Sequence, residues 1–254
     1  MTRLVRAEWT KLFTTKVWLG LLLGACLMVG GFTALLTGFA GASQNGRPGP
    51  PAIGTPEFEQ LAFATSTNAT VLLLILGIIG MTQEYRHRTA TPTFLTEPRR
   101  WRVVVAKLIA YALAAVPFAL AAIAVNVLVV TIYAGARGAT PSLTGDNLRV
   151  VAGAGFALVI YAVIGVGVGA LLRNQVGAIV GSLVYLFVVE QLVRAISPIA
   201  GAYKWMPGGA LEAMTATFQG PDLLEPWQGG LLLLGYGLLA ALLGTFLAVR
   251  RDVI

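Results

Sequence analysis

The chain alternates long apolar runs with short polar or charged ones, and the apolar runs are of membrane-crossing length. They cover Val17 to about Ala40, about Thr65 to Gln83, about Val103 to Tyr133, Val150–Leu172, about Val176–Ile196 and about Trp227–Val249. Roughly 20 apolar residues in a helix cross a hydrocarbon core of about 30 Å. In lipid every backbone N–H and C=O needs an internal partner, which an α-helix supplies. The pattern predicts an all-α integral membrane protein with six transmembrane helices. The third run is long enough to tilt or protrude and holds Pro117. Residues 1–254 read as a single transmembrane domain.

Shorter periodicities fill in the rest. Over residues 1–16 a helical projection gathers Met1, Val5, Trp9, Leu12 and Phe13 in one arc and Arg3, Arg6 and Thr10 in another, with Leu4 breaking the pattern. This predicts an N-terminal interfacial amphipathic helix with its aromatic face toward lipid; a plain basic flank of the first span is the alternative. Gly41–Gln60 is rich in Pro and Gly and predicts an external loop. The second span enters through Thr65, Ser66, Thr67, Asn68 and Thr70, a polar half expected to avoid lipid and face helices, a cavity or a subunit interface. The pairs Gly20/Gly24, Gly165/Gly169 and Gly177/Gly181 have the spacing that lets helix backbones approach. Gly165–Gly169 lies inside an apolar span with no strand before it, which predicts packing rather than nucleotide binding. Residues 197–226 carry Pro198, Pro207, Pro221 and Pro226 and predict short helices forming a re-entrant external segment, or else a surface loop anchored by tryptophan.

Composition agrees with this class. The chain is 57% hydrophobic and 11% charged, with a mean hydropathy of +0.79, whereas a soluble domain is about a quarter charged. With the N-terminus cytoplasmic, 13 of the 18 Lys and Arg fall inside and five outside. The excess of basic residues in cytoplasmic loops predicts an N-in, C-in orientation. The net charge of +7 belongs to those loops and to anionic headgroups, so no nucleic-acid partner is expected. The first apolar run is too long for a signal sequence, which predicts no cleaved leader. Cys26 is the single cysteine and His87 the single histidine. An intrachain disulfide is excluded, and neither residue builds a metal site alone.

Catalysis by this chain finds little support. No Gly-x4-Gly-Lys-Ser/Thr sequence is present, so it carries no ATPase motif of its own. Ser182 has no membrane histidine to activate it, since His87 lies in a polar loop. Glu190–Arg194 resembles one motif of the membrane glutamate proteases, but their paired glutamate and membrane histidines are missing. Glu190 and Arg194 stand four apart on the fifth span and are expected to share a face and pair. Ionisable groups at membrane depth face a protein interior or water. Together with Thr67, Asn68, Thr70 and Asn126 they are the candidate pathway or gate residues, with an ion pair at the outer interface and helix-to-helix hydrogen bonding as the plainer alternatives.

The densest charge lies between the second and third spans, from Gln83-Glu84-Tyr85-Arg86-His87-Arg88-Thr89 through Leu95-Thr96-Glu97-Pro98-Arg99-Arg100-Trp101 to Lys107. It mixes acids and aromatics with the basic residues, more than orientation alone requires. Glu84, Arg86, Arg88, Arg99 and Arg100 are expected to face a soluble partner, with Tyr85, Phe94 and Trp101 as apolar anchors. This segment resembles the loop between the second and third spans in permease subunits of type-2 ABC exporters. The start Glu8-Trp9-x-Lys11-Leu12 is similar to their interfacial helix, and Trp205–Leu211 to their external re-entrant region. Pro92 departs from the family pattern and shortens or restarts the loop helix, and the external region is too small for the extracellular domain of some relatives.

The resemblance implies a membrane-spanning permease that forms half of a translocation pathway in a bacterial cytoplasmic membrane. Residues 84–102 are then the coupling loop, with Glu84, Tyr85, Arg86, Arg88, Thr89, Pro98 and Arg100 meeting a separate ABC ATPase. Two ATPase copies and a second permease copy or homologue complete the assembly. No cofactor is bound by this chain, while ATP and Mg are used by the ATPase. The cavity implied by Thr67, Asn68, Thr70 and Asn126 is mostly apolar with few charges, which favours an amphiphilic or hydrophobic cargo. The alternative from another class is an ion-coupled transporter or a non-transporting scaffold, which an inverted repeat between the halves would favour. The large polar loops fall on opposite sides in the two halves, without matching sequence.

Overall fold

A computed structural model describes residues 1–42, 49–87, 97, 99–215 and 223–250. The described residues are helical, with no strand among them. In order they form α1 (Thr2–Thr14), α2 (Val17–Gly38), α3 (Pro56–Ala64), a 3-10 segment Thr65–Ala69, α4 (Thr70–Arg86), α5 (Arg100–Gly135), α6 (Gly145–Leu172) and α7 (Gln175–Val184). There follow a π-helical turn Tyr185–Val189, α8 (Glu190–Ala195), a 3-10 segment Ala200–Trp205, α9 (Pro207–Thr215) and α10 (Pro226–Arg250). Six helical stretches are long and apolar enough to span a membrane: Val17–Gly38, Pro56–Arg86, Trp101–Gly135, Gly145–Leu172, Gln175–Ala195 and Pro226–Phe246.

The second of these corrects the expected loop over Gly41–Gln60, because helix begins at Pro56. The local chemistry explains the start. Thr55 is an extended N-cap whose hydroxyl accepts from the Phe58 N–H at 3.2 Å, Pro56 fills the first turn, and Glu57 and Glu59 sit at the positive end of the helix. The polar entry then tightens into 3-10 geometry. Thr65, Ser66 and Thr67 turn their hydroxyls onto the carbonyls of Ala62, Phe63 and Ala64, at 2.7, 2.8 and 2.7 Å. These side chains thus supply part of their own hydrogen bonding inside an apolar surrounding.

α6 is the centre of the bundle, packing on α4, α10 and α5. Its glycines allow this. A Cβ on Gly165 would fall on the Leu74 carbonyl, and one on Gly77 of α4 would fall on the Ala162 carbonyl. The two backbones approach too closely for any larger residue. Of the three glycine pairs read from sequence, Gly165/Gly169 is a helix contact, whereas Gly20 and Gly181 meet nothing. The Gln175–Ala195 stretch packs least against the rest and α2 little more, so both keep apolar flanks such as Leu23, Leu27, Val176 and Val180 outward. Facing lipid, such flanks require no protein partner.

Candidate functional site

At the end of the bundle where α4 stops and α5 starts, four charged side chains close on one another. Lys107 of α5, fully buried, donates to Glu8 at 2.6 Å and to the Gly80 carbonyl at 3.0 Å, and lies 3.3 Å from Glu84. Lys11 donates to both Glu8 and Glu84 at 2.7 Å. Each carboxylate therefore meets two ammonium groups and the set is neutral, the condition under which charges withstand burial. Burial on its own would lower the Lys11 ammonium, but hydrogen bonds and charge from Glu8 and Glu84 outweigh it and hold the group above its ordinary value. Three elements far apart in sequence, α1, α4 and α5, are fastened by this one cluster.

The cluster explains how α1 lies. Leu4, Val5, Glu8, Lys11 and Leu12 face inward, with Glu8 and Leu12 buried, while Trp9 stays 37% exposed. The stripe against the bundle is thus centred on positions 4, 8 and 12, one helical row. Leu4, which broke the sequence projection, belongs to it. Trp9, Phe13 and Trp18 form an aromatic ladder at 5.0 and 5.1 Å that carries α1 into α2.

The expected coupling residues separate here. Glu84 is 4% exposed and committed to the cluster, so its expected presentation to a partner is corrected. Tyr85 is half-buried with the Arg173 guanidinium 5.7 Å from its ring centroid. Arg173 adopts a left-handed φ of 51° to end α6, and Asn174 then caps α7 through the Gly177 N–H. Arg86, His87, Arg99 and Trp101 are exposed. Arg88, Thr89, Pro92, Phe94 and Pro98 lie outside the described residues, as does the side chain of Arg100 at the start of α5.

At the opposite end, a cavity of about 400 Å³ opens between α2, the 3-10 segment at the head of α4, the π-helical turn with α8, and α9. Thr67, Asn68, Thr70 and Glu190 all line it, with Tyr203 and Glu212. Four of the six expected pathway residues are thereby brought together. Asn126 and Arg194 are not among them. Asn126 is buried and donates to the Ala62 carbonyl, Thr33 and Thr65 at 2.9, 2.9 and 2.8 Å, which ties α5 to α2 and α3. Nor do Glu190 and Arg194 pair as expected. Arg194 reaches Glu212 of α9 at 2.8 Å and stacks over Tyr203 at 5.3 Å, while Glu190 turns inward and accepts the Gly208 N–H at 3.2 Å. A shared helix face allowed the pair, but the fold-back of α9 gave each residue a different neighbour. Outside the spans, burial first and then the Glu212 charge push the Tyr203 phenol above its ordinary value.

Sequence reasoning missed Glu8, Lys11 and Lys107 as a unit, and Tyr203 and Glu212 as cavity walls. A lysine within an apolar run was the available signal for Lys107. Nothing in the order of residues signalled Glu212, because its role depends on the fold-back.

Among curated proteins no significant match is found. Residues 4–189 match the family described as ABC-2 family transporter protein, well over half of the chain. The match takes in the whole charge cluster and ends at residue 189. With its six membrane-length helices, the chain belongs to that family and is a multi-pass membrane permease of an ABC transporter.

Proposed function

We propose that the chain is the membrane half of an ATP-driven exporter, coupled to a separate ABC ATPase through residues 84–102. Both termini lie in the cytoplasm of a bacterial cell, and two permease copies, or one with a homologue, work with two ATPase subunits. The observation that carries this reading is the Glu8–Lys11–Glu84–Lys107 cluster. It sits where the 84–102 segment leaves the bundle, and a force applied to that segment reaches α1, α4 and α5 together. ATP-driven closure of the ATPases moves this unit and hydrolysis resets it, switching the pathway between inside- and outside-accessible states. Exposed Arg86, His87, Arg99 and Trp101 supply charge and an aromatic anchor for docking.

The test is co-expression with a candidate ABC ATPase from the same genome. Co-elution at equal stoichiometry, with hydrolysis altered by the permease, is expected. The double variant Arg86→Glu/Arg99→Glu should lose co-elution while the permease remains monodisperse, and unchanged association would overturn the docking assignment. Charge reversal at Glu84 would instead test folding, because that carboxylate is buried. A folded permease dimer that associates with no candidate ATPase would favour the ion-coupled or scaffold reading.

A further inference from the structure

The cavity that holds Glu190 does not stand alone. A second one, of about 460 Å³, adjoins it, and Tyr161 and Leu186 border both. The second runs along α6 toward the α1 end, with Leu74, Ile164, Val168, Leu172 and Ala240 among its walls. The π-helical turn lies between the two. Leu186 and Phe187 of that turn line the first cavity, and Tyr185 and Leu186 the second. The Tyr236 hydroxyl donates to the Trp205 carbonyl at 2.6 Å and fastens the segment before α9 against α10. A polar chamber thus shares the walls Tyr161 and Leu186 with an apolar one, and each is large enough for part of a drug-sized molecule.

The electrostatics of the polar chamber are one-sided. Glu190 is 2% exposed, and its described hydrogen bond is the single 3.2 Å contact from the Gly208 N–H. Among the described residues no lysine or arginine forms an ion pair with it. The basic residue on its own helix, Arg194, is engaged with Glu212. A carboxylate in apolar surroundings without a counter-charge is costly, and a cation entering the chamber relieves that cost. Tyr161 also lines the chamber, and an aromatic ring beside a carboxylate favours a cation. An anionic head would meet Glu190 and Glu212, and a neutral one would leave Glu190 without a counter-charge.

We propose that the two cavities together bind an amphiphile with one positively charged head, an organic amine or quaternary ammonium, whose head pairs with Glu190 and whose apolar body lies in the second cavity. That this molecule is cargo rests on the transport reading above; that it binds does not. Glu190 sets the sign of the head, and Leu74, Ile164 and Val168 accept the chain without discriminating its length sharply.

The test uses the full chain in nanodiscs of zwitterionic lipid and two fluorescent probes of equal length, an NBD-labelled alkyltrimethylammonium and the corresponding NBD-labelled alcohol. Saturable binding by fluorescence anisotropy should favour the ammonium by about tenfold or more, as for one desolvated charge pair. Glu190→Gln should bring the ammonium down to the affinity of the alcohol, Glu190→Asp should keep part of the preference, and Leu186→Trp should weaken both probes by filling the junction. Equal affinity of the unaltered protein for the two probes overturns the proposal, and needs no variant to fold. So does a Glu190→Gln protein that keeps the preference. Loss of the preference with ATPase co-elution intact removes the cargo class alone; a preference without any ATPase partner removes the exporter reading and leaves the binding site.

Discussion

Glu84 and Glu190 are buried almost equally, at 4% and 2% exposed, at opposite ends of one bundle. Their company differs. Glu84 shares two lysines with Glu8, and the four charges cancel within hydrogen-bonding distance. Glu190 has one backbone N–H and a cavity before it. The first arrangement ties three helices into one piece; the second leaves a carboxylate that no lysine or arginine among the described residues pairs with. Equal burial therefore says little about role, and the counter-charge decides it.

The comparison breaks most sharply at Lys107. Lys107→Met removes the fully buried ammonium that Glu8 and Glu84 share, and should cost about 3–5 kcal/mol in reversible unfolding from mixed detergent micelles. A loss near zero would mean the cluster is not a fastening. Glu84→Gln keeps Lys107 paired with Glu8 and should cost less, about 2–3 kcal/mol by the same measurement. The opposite end sharpens the contrast, because Glu190→Gln removes a carboxylate that has no basic partner among the described residues while keeping an acceptor for Gly208. Its stability should stay within about 1 kcal/mol of the unaltered protein, and any change should be a gain.

The smallest effect is expected from pH at Lys11. Its folded-state value lies above its unfolded one, so its stabilisation is complete below about pH 10.5 and is lost as the pH rises through the folded value. The gap in thermal stability between the unaltered protein and Lys11→Met should hold constant at neutral pH and narrow in strong alkali. A gap that closes on acidification instead would place the relevant titration on the carboxylates.

Much of the fold was legible in order and spacing. All six spans appear where the apolar runs lie, because a helix in lipid must be long and apolar whatever its neighbours are. The start of the second span was missed: Gly41–Gln60 was read as loop throughout, while Thr55 caps a helix that begins at Pro56. The polar entry of α4 was read as turned from lipid, and Thr67, Asn68 and Thr70 do meet a cavity. The neighbours of the charges were not legible. Glu190 and Arg194, four apart, satisfied a local rule and still part company, since α9 offers Arg194 a carboxylate and Glu190 a backbone N–H.

The sequence by itself determined the membrane class, the number of spans and the absence of an ATPase motif, since each depends on composition or on residues adjacent in the chain. Tertiary structure decided that Glu8, Lys11, Glu84 and Lys107 form one neutral cluster and that Glu190 faces a cavity with no basic partner among the described residues. Coulomb interactions fall off with distance through space and are amplified by burial. Residues 99 positions apart, as Glu8 and Lys107 are, become partners only once packing has brought their helices together.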